Sequence, residues 1–206
     1  MDKKKNRASA RDKAVQLIRQ HGGIIRTSDA LQSGIHPRTL YQLRDTGALE
    51  QISRGVYRLA EMEAVSNPDF VVVATRIPNA VICLVSALSF HEITTQIPHE
   101  VSVAIPKNSK PPMIDYPPVQ FHKFSKEPFQ AGIEEHQIDG VVIKVYCPEK
   151  TLADCFKFRN KIGMDIVLEA LKLYKSRMKF DQKKILEYAK ICRVDKIVLP
   201  YLEASI

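Results

Sequence analysis

No stretch of this sequence approaches the roughly 18 uninterrupted apolar residues that a membrane-spanning helix needs. The opening Met1-Asp2-Lys3-Lys4-Lys5 runs into a charged segment, where a signal peptide would place an apolar core. These two absences predict a soluble, cytoplasmic protein with no membrane partner. Cys83, Cys147, Cys155 and Cys192 form no CxxC pair and stand mostly among apolar neighbours, which argues against a structural disulfide and for buried thiols in a reducing compartment. None of the six histidines pairs with another His, Cys or carboxylate at a zinc-ligand interval, so no metal site is expected. His91, behind Phe90 on an apolar segment, reads as a hydrogen-bonded, half-buried side chain. The phosphate-binding GxxxxGK(S/T) loop, the GxGxxG fingerprint and the GxSxG elbow are all missing, and with them any support for nucleotide hydrolysis, dinucleotide cofactors or serine hydrolase chemistry. Neither an internal repeat nor a low-complexity tract is present.

Positive charge is abundant and unevenly spread. The first 58 positions hold twelve Lys or Arg against five Asp or Glu, seven of the chain's eight units of net charge, whereas the remainder holds nineteen against eighteen. With 206 residues and 45% hydrophobic content, the chain has room for one small domain and one of about 100 to 150 residues. The polar, non-periodic stretch Glu61 to Pro68 suggests the boundary. Residues 1–62 are therefore expected to form one domain and residues 63–206 the other.

In the first segment Ser9 and Asp12 stand at capping-box spacing, and Ala14, Leu17, Ile18 and His21 recur at helical intervals until Gly22-Gly23. Beyond the apolar pair Ile24-Ile25, Thr27 is suited to cap a second helix with Ala30 and Leu31 facing inward, and Gly34 permits a tight reversal. Pro37 suits the first position of a third helix that buries Leu40 and Leu43 and turns Arg38, Thr39, Tyr41, Gln42 and Arg44 outward. From Leu49 to Leu59 two β-prone arms meet at Arg54-Gly55, with Ile52, Val56 and Leu59 leaning on the helices. Helix, turn, helix and hairpin under a local positive field describe a winged helix-turn-helix. The candidate DNA contacts are Arg38, Thr39, Tyr41, Gln42 and Arg44 for base edges and nearby phosphates, because Arg and Gln offer paired donors or acceptors that match purine edges. Arg54 and Arg58 are candidates for phosphate or a minor groove, and Lys3, Lys4, Lys5, Arg7 and Arg11 for a basic arm.

The second segment alternates apolar runs with proline breaks. The expected elements are a helix over Phe70 to Ile77, a strand over Ala80 to Val85 and a short helix over Ser86 to Glu92 capped by Ser86. Further strands are expected at Val101 to Ile105, Val119 to Phe124 and Val141 to Tyr146. Four prolines between Lys107 and Pro118 exclude that stretch from a sheet interior. A helix from Cys147-Pro148-Glu149-Lys150 through Phe156 opens a helical region running to the end, its last segment bent or ended near Pro200. Thr151 and Asp154 read as helix-surface residues. The fold class is thus α+β: a winged helix-turn-helix followed by a larger mixed α/β domain with a helical C-terminal region. Glu100 and the Glu149-Lys150 pair do not by spacing make the converging carboxylate set of a metal nuclease, so no enzyme activity is expected. Two other readings are a nucleic-acid-processing enzyme (metal-dependent nuclease or phosphotransferase) delivered by the winged module, and an adaptor whose winged module meets an acidic protein.

The stretches Gly47 to Tyr57, Val81 to His91 and Tyr146 to Asp154 together resemble the antitoxins of AbiE-type, or type IV, toxin–antitoxin systems, bacterial abortive-infection modules against phage. The resemblance implies a winged domain that represses its own operon at promoter inverted repeats. It also implies a C-terminal domain that counters a nucleotidyltransferase toxin without a stable complex.

Overall fold

The structure, a computed structural model, describes residues 9–62 and 67–204. The chain divides into two compact units, the first reaching to Arg76 and including Gln137–Val142, the second comprising Ile77–His136 and the residues from Ile143 onward.

In the first unit Ser9 and Asp12 cap α1 (Ala10–Gln20) reciprocally: the Asp12 N–H donates to Ser9 Oγ at 3.2 Å, and the Ser9 N–H to Asp12 Oδ2 at 2.9 Å. The next elements are β1 (Ile24–Arg26), α2 (Thr27–Gln32) and α3 (Pro37–Asp45). They are followed by β2 (Leu49–Ser53), β3 (Val56–Leu59) and α4 (Pro68–Arg76). The strands form an antiparallel sheet in the order β1-β3-β2, with Tyr57 opposite both Ile25 and Gln51. Ala14, Ile18, Leu40, Leu43, Leu49 and Leu59 make the core. Each buried Leu or Ile side chain contributes about 1.5–3 kcal/mol. This is the winged helix-turn-helix order, with α2 and α3 as the helix pair and β2–β3 as the wing.

Two local expectations fail here. Arg26 occupies the N-cap position of α2, and Thr27 is its first residue. Leu31 is 42% exposed although Ala30 is fully buried, because in so short a helix the position after Ala30 is rotated off the inward face. The pair Ile24-Ile25, read only as apolar, is a strand. The expected boundary at 62/63 adjoins residues 63–66, which lie outside those described; α4 then packs on β1 and β2 of the first unit.

The second unit is built on β4 (Val81–Ile82), β5 (Val101–Pro106), β6 (Val119–Phe124) and the greater part of β7 (Ile133–Ile138) and β8 (Val141–Tyr146), whose joined ends at Gln137–Val142 belong to the first. Their order in the sheet is β6-β5-β4-β8-β7, β4 antiparallel to β5 and parallel to β8, and β5 parallel to β6. Its helices are α5 (Leu84–Phe90), α6 (Lys126–Gln130), α7 (Pro148–Lys157), α8 (Arg159–Ile162), α9 (Met164–Arg177), α10 (Gln182–Cys192) and α11 (Asp195–Glu203). The strand expected over Ala80 to Val85 stops at Ile82, since Cys83 already caps α5. Ser86 lies inside that helix, where its hydroxyl accepts the Ser102 N–H at 2.9 Å and ties α5 to β5. α6 and β7 had no sequence counterpart. α11 runs through Pro200 to Glu203 without ending there.

α7 is the axis of this unit. Every residue from Glu149 to Phe156 is buried, against α5, α9, α10 and α11. Thr151 and Asp154 are therefore core residues, a correction to their surface reading: a helix enclosed all round has no solvent face to give them. The ammonium of Lys150 pairs with Asp154 at 2.5 Å, both side chains fully buried. It also lies over the rings of Tyr146 at 4.1 Å and Phe124 at 5.1 Å. The Cys192 thiol of α10 donates to the other Asp154 oxygen at 3.2 Å. Burial raises the Asp154 carboxyl above its ordinary range, and Lys150 only partly offsets this. Gly132 holds a left-handed φ of +72°, and a Cβ there would come within 2.7 Å of the Lys150 Cβ, so the close approach requires glycine.

Candidate nucleic-acid interface

The turn between α2 and α3 is set by Gly34, at φ +85°, and closed by the Ile35 N–H donating to the Ala30 carbonyl at 2.9 Å. Pro37 then opens α3, and the ring Nδ1 of His36 caps it by accepting the Arg38 N–H at 3.2 Å. Burial of Leu40 and Leu43 fixes the helix rotation. Arg38, Tyr41 and Arg44 are consequently exposed, while Thr39 and Gln42 are half-buried. Arg44 is partly committed: it pairs with Asp45 at 2.8 Å and its guanidinium lies 5.2 Å from the centre of the Tyr41 ring. Thr39 and His36 share a shallow groove with Ala10, Lys13 and Leu17 of α1.

At the wing, Gly55 takes φ +71°, the conformation the reversal needs. Both turn carbonyls have donors. The Thr27 N–H reaches the Gly55 carbonyl at 2.9 Å, and Nη1 of Arg76 reaches the Arg54 carbonyl at 2.8 Å. The Arg54 side chain is exposed.

Arg58, a candidate for phosphate or a minor groove, is engaged within its own unit. It pairs with Glu50 at 2.5 Å, donates to the Met62 carbonyl at 3.2 Å, and its side chain is only 12% exposed. The cause is sheet register, which sets Glu50 directly opposite Arg58 on the wing. Lys3, Lys4, Lys5 and Arg7 lie outside the described residues; Arg11 is exposed on the first turn of α1. Ion pairing trims the positive field further, since Arg19 is bound to Glu61. Residues that sequence reasoning missed are Thr27 as a wing anchor, His36 as the cap of α3, and Arg76. For His36 the signal was there, an acceptor immediately before Pro37; for the other two no local pattern reveals a partner 28 or 22 positions away.

In the second unit, Glu149 is engaged in packing. Its carboxylate accepts from the Tyr174 hydroxyl at 2.7 Å and pairs with Lys184 at 2.9 Å. Burial pushes this carboxyl up, but the Lys184 and Tyr174 contacts outweigh burial and leave it below its usual range. His91 is half-buried with Nε2 at 2.8 Å from the Tyr146 carbonyl, and burial lowers its pKa. Among the described residues, no three or more His, Cys, Asp or Glu side chains converge as a metal would require, and no helix is long and apolar enough to cross a membrane.

Residues 12–60, which run from α1 through β3, match the family described as "Transcriptional regulator, AbiEi antitoxin". The wing stretch Gly47 to Tyr57 of the resemblance lies within that match, and the stretches at 81–91 and 146–154 lie outside it. No curated protein matches the chain. Among solved structures, the RV2827C protein from Mycobacterium tuberculosis is similar in fold, with a TM-score of 0.51 and 13% identity, covering 96% of this chain and 82% of that one.

Proposed function

We propose that this protein is a cytoplasmic, non-enzymatic transcriptional autorepressor and antitoxin of a type IV toxin–antitoxin system. The observation that carries the reading is the exposed side of α3, cationic and aromatic, in a winged unit that matches a family of antitoxin regulators. α3 enters the major groove of operator DNA. Arg38 and Gln42 read base edges there, and Thr39, Tyr41 and Arg44 contact neighbouring groups. Arg54 at the wing and the Lys3-Lys4-Lys5 segment neutralise phosphates. Promoter inverted repeats are bound by two copies of the chain, and the second unit counters a nucleotidyltransferase toxin without forming a stable complex.

The test is binding of full-length protein to the duplex upstream of its own gene, against a random duplex, at several salt concentrations. Arg38→Ala and Gln42→Ala should each reduce the discrimination between the two duplexes by about 1–3 kcal/mol. Arg54→Ala should weaken both nearly equally. Equal effects of all three substitutions on both duplexes would sink the division of roles, and a flat salt dependence of the wild type would sink DNA binding itself.

A further inference from the structure

The wing turn is held from two directions: the first residue of α2 takes the Gly55 carbonyl, and the last residue of α4 takes the Arg54 carbonyl. The residue closing α4 is Arg76, which lies outside the segment matched to the regulator family. Its Nη1 is also 3.9 Å from where a Cβ on Gly55 would stand, so the guanidinium lies directly against the turn. Among the described residues Arg76 is paired with no carboxylate, and the partner of Nη1 is a neutral carbonyl. A guanidinium carries five N–H donors in a planar fork, so one bond to a carbonyl leaves both its charge and most of its donors unspent. Arg54, with its exposed side chain, belongs to the same turn. A phosphodiester oxygen suits this fork because Arg meets phosphate through paired, charge-assisted N–H bonds.

We infer that Arg76 and Arg54 form a phosphodiester-binding site at the wing tip, in which Arg76 holds the turn through the Arg54 carbonyl and takes a backbone phosphate of the duplex. The site deepens the DNA-binding reading above and rests on it. It also extends the nucleic-acid surface past β3 onto α4.

Anisotropy of a fluorescein-labelled upstream duplex, titrated with full-length protein across salt concentrations, separates the roles. Arg76→Gln retains an N–H donor for the Arg54 carbonyl but loses the charge. It should lower the log–log salt slope by about 0.9, equivalent to an affinity ratio to wild type that closes about 3.5-fold over a roughly fourfold rise in salt. Arg76→Ala should show the same loss of slope, and Arg76→Lys should recover it. A wild-type slope in Arg76→Gln would overturn the phosphate contact and leave Arg76 as a brace of the turn only. Absence of any salt-dependent binding by the wild type would instead strike the DNA-binding reading.

Discussion

Breaking the buried pair at the centre of α7 should cost more than deleting it altogether. Lys150→Met keeps the apolar stem and its contact with Tyr146 and Phe124, but strips Asp154 of its cation and leaves it the Cys192 thiol as donor. Asp154→Leu does the reverse and leaves a fully buried ammonium over two rings. An unpaired buried ion costs about 3–5 kcal/mol, so each single substitution should lower the unfolding free energy by that amount. Against a typical domain stability of about 5–15 kcal/mol, either single variant is close to unfolding. The double variant buries no ion and fills a similar volume with apolar atoms, a replacement that ranges from neutral to about 1–4 kcal/mol stabilising in comparable cores. It should therefore be more stable than either single variant. Urea unfolding of all four proteins near neutral pH, followed by far-ultraviolet circular dichroism, closes the cycle. If the two single costs simply add in the double variant, to within about 0.5 kcal/mol, the pair is not the coupled unit the geometry implies.

His122, 6% exposed and 5.4 Å from the Phe158 ring, has its pKa lowered to about 4 by burial, with a smaller contribution from Lys161. The unfolded side chain titrates near about 6.5, so the unfolded state binds the extra proton and stability, complete above that pH, declines on acidification towards about pH 4. By about pH 5 the loss should reach about 2 kcal/mol, and His122→Phe should remove it; parallel pH profiles for the two proteins would refute the assignment. Arg58→Met should lower the thermal midpoint of the first unit yet leave the salt slope of DNA binding unchanged, because the guanidinium is spent on Glu50 and the Met62 carbonyl. A slope reduced by about 0.9 would return Arg58 to the phosphate contacts.

What was legible in the sequence was what short-range chemistry decides. The Ser9–Asp12 cap, the Gly34 reversal, Pro37 at the start of α3 and the Gly55 turn each involve partners within a few residues, and each stands where the pattern put it. Reading failed where the deciding partner is remote or the element is too short for a period. Leu31 needed the rotation of a six-residue helix. Asp154 looked like a surface carboxylate because nothing near it announces Cys192, 38 positions on, or the helices enclosing α7. Arg58 was decipherable in principle: pairing the wing arms about their turn sets Glu50 opposite it. At the candidate interface, α3 followed from its own amphipathic pattern, whereas the contribution of Arg76 came only with the tertiary structure.

All four cysteines lie in the second unit, and all are free and buried. Burial drives the thiols of Cys83 and Cys155 far above their ordinary range, raises Cys147, and sets Cys192 at about 12. Since only a thiolate reacts at an appreciable rate, the native molecule is sheltered from alkylating agents and oxidants. Its labelling clock runs on excursions of that half of the chain alone, so iodoacetamide incorporation times the opening of the larger unit while the smaller one contributes no signal.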